Sequence, residues 1–261
     1  MNAIITTLGF VSAETFESCM IHLYEGKFLS LGCPHYFLYQ HFPLKKERCK
    51  NKQKEICDRY GIIWVDSGYD RGLHEGMNYL VSVINPTDDT VIIGFDPYEW
   101  PTTPGFDVAL TEVLSAEDNQ DIVLAALKNN YNQNGFWISR YYPGKIGNHD
   151  IMITNAGVCP MSISAFKTSW FKQIGGWKQS STHYGHLEEY IRDKLKETGK
   201  LSCVLHNYSC INVEGAPEYK TPLINFHPQD SLYKEYKQCQ ADYSSKEAFE
   251  VWLQKRGINY L

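Results

Sequence analysis

Over its first 95 residues the chain alternates short apolar runs with amphipathic stretches, and this alternation constrains the fold more than any other feature. Ala3–Leu8, His35–His41, Ile62–Val65 and Thr90–Phe95 are runs of four to seven residues, the length of buried strands. Lys45–Tyr60 sets Cys49, Gln53, Ile56, Cys57 and Tyr60 at helical spacing and stops at Gly61. Leu73–Val83 sets Leu73, Met77, Leu80 and Val81 on one helical face. Parallel strands need a crossover of a dozen or more residues, and a helix meets that need while satisfying its own backbone. The pattern therefore predicts an α/β fold, a mostly parallel sheet flanked by helices.

The second half is less regular. Phe106–Leu114 and Gln120–Asn129 read as a helix followed by a strand or a second helix. Asn130–Asn148 is polar and aromatic without a clear period, as expected of a functional loop or a distorted hairpin. Ser162–Gln173 is mixed and runs into Gly175-Gly176. Leu187–Glu197 is a helix closed by Gly199, Leu201–Leu205 a strand and Lys246–Lys255 a helix. No repeat or low-complexity linker breaks the chain, so residues 1–261 read as one domain with an elaborated C-terminal half.

Composition narrows the class. Apolar residues make up 43% and aromatic residues 14%, enough for a large core. A net charge of −5 argues against a globally basic nucleic-acid binder, though Leu44–Arg59 carries seven Lys/Arg against three acids. The N-terminus has no basic leader and reads as a first strand, and no window approaches 18 consecutive apolar residues. The eight cysteines form no CxxC pair. The expectation is a soluble, cytoplasmic protein with reduced, mostly buried thiols and no membrane span.

Two aspartates mark the candidate site. Asp66 follows IIWV and Asp96 follows VIIGF, each at the carboxyl end of a predicted strand. Ligands of open parallel sheets bind beyond those ends. A carboxylate there can accept hydrogen bonds from a base or ribose, or offer oxygen to a divalent cation. Either aspartate alone is better read as a turn or cap residue. The two together, in register with the alternating units, favour function.

The order of motifs resembles nucleotide-sugar-dependent glycosyltransferases of the GT-A fold, the family 2 type in particular, over roughly residues 3–206. WVDSGYD carries Asp66 at the acid that follows the third strand and Asp70 at a second acid. GLHEGMNYLVSVI carries Asn78 on the next helix, and GFDPYEW stands where a DxD motif ends the fourth strand. AGVCPMSISAFKTSWFKQIGGW looks like the segment that ends in a Gly-Gly-aromatic turn beside the acceptor. HLEEYIRDKLKETGK looks like the helix whose leading acid pair supplies the base.

The resemblance implies a GT-A-like, Rossmann-related sheet with a nucleotide-sugar half (1–105) and an acceptor half (106–261). It implies Thr7, Asp66, Asp70, Asn78 and Asp96 on the donor side and Gly176 and Trp177 on the acceptor side, where the aromatics Trp137 and Tyr141 and the cation Arg140 of the loop Asn134–His149 would suit sugar stacking. It also implies direct displacement with inversion, by a carboxylate base drawn from Glu188 and Glu189. Adjacent helical residues lie about 100° apart, so only one of these can face the cleft squarely; Glu188 is preferred. The motif departs from DxD, with Tyr98 at the second acid and Glu99 one residue later. A site for Mn or Mg would need Asp96 plus Glu99, His206 or His227, or none of these if lysine or arginine held the diphosphate.

The acceptor expected is a glycan or small molecule. Aromatics interleaved with cations in Asn134–His149 also suit a modified base of phage DNA, a minority reading. Two rival functions stand beside transfer: a non-catalytic nucleotide-sugar-binding protein that keeps the fold, and, third, a nucleotidyltransferase. The last needs a glycine- and lysine-rich loop near the first strand, and Thr6–Thr15 contains no lysine or arginine. Sequence sets no expectation for the oligomeric state.

Overall fold

A computed structural model describes residues 2–9, 12–41, 47–117, 119, 121–129, 141–154, 162–178 and 187–212. The first half alternates as its apolar pattern requires: β1 (Ala3–Gly9), α1 (Ala13–Met20), β2 (His35–Tyr39), α2 (Glu47–Tyr60), β3 (Ile63–Asp66), α3 (Gly72–Ile84) and β4 (Val91–Phe95). The second half adds β5 (Glu99–Pro101), α4 (Phe106–Ser115), β6 (Ile122–Asn129), β7 (Tyr141–Ile146) and β8 (His149–Thr154). It ends with β9 (Ile163–Lys167), α5 (Thr168–Gln173), α6 (Leu187–Thr198) and β10 (Leu201–Asn212).

These strands form one sheet in the order β3-β2-β1-β4-β9-β6-β10-β8-β7, with β5 paired to β10. The β3-β2-β1-β4 half is wholly parallel. β9 is inserted antiparallel between β4 and β6, and β8 and β5 run antiparallel to β10. The other seven strands point one way, so the sheet is mixed and mostly parallel.

Both faces of the sheet are covered. Alternate residues of one strand feed opposite layers: Ile5, Phe37 and Ile93 pack with α1, α2 and α4, whereas Ile4, Leu38 and Ile92 pack with α3, α5 and α6. On α6, Leu187, Ile191 and Leu195 form a buried stripe at four-residue intervals. Burying each such side chain stabilises the fold by about 1.5–3 kcal/mol.

Several expectations are refined. Sequence patterns marked no element between Gly9 and His35, yet Ser12 caps α1, its Oγ accepting from the Thr15 backbone at 3.1 Å. A π-helical turn, Ile21–Glu25, extends that helix. The acidic side of α1 meets the basic side of α2, where Lys52 reaches Glu14 and Glu17 at 3.3 and 3.4 Å and Arg59 reaches Glu17 at 2.8 Å. Two of the seven cations of the basic run, Lys52 and Arg59, are thus helix contacts.

Of the stretch Gln120–Asn129, Ile122–Asn129 is a strand, β6. The described part of Asn130–Asn148 belongs to a regular hairpin, β7–β8, turning on Gly147-Asn148 with Gly147 at φ +54°. β10 continues seven residues past Leu205, through a register shift between Leu205 and Ser209, because β5 and β6 supply partners there. All six described cysteines are free thiols. The predicted helix Lys246–Lys255 lies outside the described residues.

Candidate functional site

Strand order reverses between β1 and β4, and a cleft opens there at the carboxyl ends of the strands. It encloses about 770 Å³ of non-protein space, part of it open to solvent. Thr6 and Leu8 of β1, Gly94 of β4 and Ser164 of β9 contribute to its floor. Leu73 and Met77 of α3 form one wall, and Trp177 with Leu187 and Glu188 another. Asp96 and Glu188 both line it, although 92 positions separate them in sequence.

Asp96 is placed by a tight turn. The Glu99 N–H donates to the Asp96 carbonyl at 3.0 Å, Pro97 occupies the second position, and the Tyr98 N–H donates to Asp96 Oδ1 at 3.1 Å. The side chain reaches solvent through the cleft and is enclosed by protein elsewhere. Enclosure pushes the carboxyl up, the Tyr98 N–H pulls it partly back, and the Glu99 charge adds to the rise, bringing it to about 7. The same turn sends Tyr98 into the core, 5% exposed. Glu99, also 5% exposed, starts β5 opposite Asn212, and its carboxylate accepts from the Cys210 thiol. Neither Tyr98 nor Glu99 lines the cleft.

Asp66 lies three strands from Asp96, about 14 Å away at ~4.8 Å per strand. Its Oδ1 contacts His41 Nε2 at 2.5 Å and accepts the Gly68 N–H at 2.9 Å, and Lys50 Nζ donates to Oδ2 at 2.7 Å. Burial opposes the charge, but His41, Lys50 and Gly68 outweigh it and hold the carboxyl well below the usual carboxylate range. Beside it, Arg71 is stacked between the Tyr69 and Tyr79 rings at 4.1 and 4.0 Å and bonded to Glu75. Buried Asp70 accepts the Gly72 N–H at 3.0 Å and shapes the entry to α3.

Asn78 is tied to the Gly-Gly-Trp turn. Its Nδ2 donates to the Trp177 carbonyl at 2.7 Å and its Oδ1 accepts the Trp177 N–H at 2.8 Å. The turn closes α5 with the Gly176 N–H on the Phe171 carbonyl and the Gly175 N–H on the Lys172 carbonyl, a Schellman arrangement. The Tyr190 hydroxyl donates to the Gly176 carbonyl at 2.9 Å. Asn78 and Gly176 thus hold Trp177 in place.

Other expected residues fall elsewhere. Thr7 is fully buried on the opposite face, its hydroxyl 2.8 Å from His35 Nε2, and the neighbouring Thr6 lines the cleft instead. His206 is exposed, at the register shift of β10. Tyr141 starts β7 and Glu189 lies in α6, but their side chains, like all of Trp137, Arg140 and His227, lie outside the described residues. Among the described residues no group of three His, Cys, Asp or Glu gathers to hold a metal.

Sequence reading missed Thr6, Ser162 and Ser164 in the cleft and His41 and Lys50 on Asp66. In a sheet buried on both faces the alternation that separates Thr6 from Thr7 carries no polar signal. No local pattern marks β9 as an inserted strand.

The fold and the cleft define a GT-A-like α/β architecture. A mannosyltransferase from Pyrobaculum calidifontis, solved with GDP-Man and Mn2+, superposes with a TM-score of 0.57 at 10% identity, over 98% of this chain and 68% of its own. GalNAc-T7, solved with UDP, GalNAc and Mn2+, gives 0.57 at 8% identity, over 100% and 55%. TarS of S. aureus (residues 1–349) gives 0.53 at 9%, over 81% and 60%. The chain therefore spans little more than half the length of the second and third. No protein-family model and no curated protein sequence matches it. Among the described residues no helix is long and apolar enough to cross a membrane.

Proposed function

We propose that the protein is a glycosyltransferase that moves a sugar from a nucleotide-diphosphate sugar to an acceptor hydroxyl. The observation that carries this reading is the meeting of Asp96 and Glu188 in one cleft at the strand-order reversal. Asp66, about 14 Å from Asp96 by strand spacing, stands at a distance comparable with an extended nucleoside diphosphate and would face the base. Residues 1–105 would hold the donor and 106–261 the acceptor.

Magnesium-like cations keep waters and bind through one or two carboxylates plus substrate phosphates, so Asp96 fits such an ion as its protein ligand. Among the described residues, no lysine or arginine is one of the groups that shift it. A bound Mn or Mg ion would neutralise charge on the leaving diphosphate. Glu188, half-buried in the first turn of α6, would take the acceptor hydroxyl proton as that oxygen bonds to the anomeric carbon. The bond to the diphosphate breaks in the same displacement, so configuration inverts. The acceptor class we favour is a glycan or small molecule.

The burial of Tyr98 and Glu99 gives a second reading, a binding protein that keeps the donor site without turnover. Thermal unfolding with UDP-, GDP- and CDP-sugars plus Mn2+ tests donor binding. Stabilisation by one of them, with hydrolysis or transfer, supports the enzyme; stabilisation with neither supports the binding protein. No shift with any would remove both.

A further inference from the structure

The Trp177 ring is 3% exposed and packs against Phe166 and Phe171 at 5.1 and 5.9 Å between centroids. Its backbone is held at both polar atoms by Asn78, and the preceding carbonyl by Tyr190. Yet its indole Nε1–H, itself buried, has no hydrogen-bond acceptor among the described residues. Such a group bears its full desolvation cost, and a buried tryptophan usually finds a partner. A phenylalanine would pack against the same two rings without that cost. Trp177 is also one of the residues lining the cleft that holds Asp96 and Glu188. A rigidly placed donor without an acceptor among the described residues, on a residue that lines the cleft, is suited to an acceptor that arrives with the ligand.

We infer that the Trp177 Nε1–H donates a hydrogen bond to a hydroxyl or ring oxygen of the sugar being transferred, making Trp177 a specificity residue for the donor. This rests on the glycosyltransferase reading. With the diphosphate at Asp96 and the acceptor hydroxyl at Glu188, the part of the ligand between them is the sugar. That moves Trp177 from the acceptor side, where sequence put it, to the donor.

The test compares sugar nucleotides with bare nucleotides in the absence of acceptor: GDP-mannose against GDP and UDP-N-acetylgalactosamine against UDP, each with Mn2+, by calorimetry. Two variants are used. Trp177→Phe removes the N–H with some ring volume, and 3-benzothienyl-alanine at position 177 keeps the bicycle and removes only the N–H. The wild-type protein should bind one sugar nucleotide more tightly than its bare nucleotide. Both variants should lose about three- to tenfold of that increment, the worth of one hydrogen bond, with bare-nucleotide affinity unchanged. The benzothienyl variant should unfold at or above the wild-type temperature. An undiminished increment in the benzothienyl variant overturns the role of Trp177 and leaves the glycosyltransferase reading intact. A wild-type protein that binds neither nucleotide nor sugar nucleotide overturns both.

Discussion

Gly175 and Gly176 offer an internal comparison that tests the Asn78–Trp177 clamp directly. Both are left-handed, at φ +75° and +76°. A Cβ on Gly175 would meet nothing within 4 Å, whereas one on Gly176 would stand 2.7 Å from Asn78 Oδ1 and 3.2 Å from its Cγ. Gly175→Ala therefore carries only the left-handed penalty of an L-residue, about 1–2 kcal/mol. Gly176→Ala carries the same penalty and also drives the Asn78 amide off Trp177. Two hydrogen bonds are then lost, at about 1 kcal/mol each, for a total of about 3–4 kcal/mol. The difference of about 2 kcal/mol corresponds to roughly 4–8 °C in a protein of this size. Urea unfolding of the single variants measures both losses. In an Asn78→Ala background the excess should vanish, leaving Gly176→Ala at about 1–2 kcal/mol. Equal losses at the two glycines, or an excess that survives without Asn78, would refute the clamp.

Glu188→Gln should lower transfer by about 100-fold or more while Glu189→Gln stays within a few-fold, read by steady-state kinetics; the reverse order would reassign the base. Asp96 has a folded value near 7 against 3.8 for the free group, so its contribution to stability is complete below 3.8 and is lost as pH rises through about 7. Asp96→Asn should flatten that fall in urea midpoints between pH 4 and 8 and abolish stabilisation by Mn2+. Asp66 behaves oppositely: its depressed value gives stability that is present above 3.8 and lost as the medium becomes more acid. Asp66→Asn should lower the unfolding temperature at pH 7, by an amount that shrinks on acidification.

Much of the first half of the fold was legible in the sequence because its signals are local. Apolar runs of strand length, a helical face such as Leu73, Met77, Leu80 and Val81, and the glycine stop at Gly61 depend only on near neighbours along the chain. Asp66 and Asp96 were legible for the same reason, since each follows the strand that carries it. The missed helix α1 had a local signal too, Ser12 ahead of Ala13, Phe16 and Met20 at helical spacing.

Tertiary structure decided the rest, because it joins residues that no period connects. Antiparallel β9 comes between β4 and β6 after a chain excursion of nearly 70 residues from β4, and it brings Ser162 and Ser164 to the cleft. His41 and Lys50 settle the charge of Asp66 from two other elements. One turn of chain at Pro97 determines that Asp96 lines the cleft while Tyr98 and Glu99 face the core. Asn78 and Trp177 meet across 99 positions, and that contact adds a steric reason for glycine at 176 to the left-handed backbone that Gly175 shares. Sequence by itself determined which strands end in acids. Packing determined which of those acids shares a cleft with Glu188, since that depends on where α6 docks against the sheet.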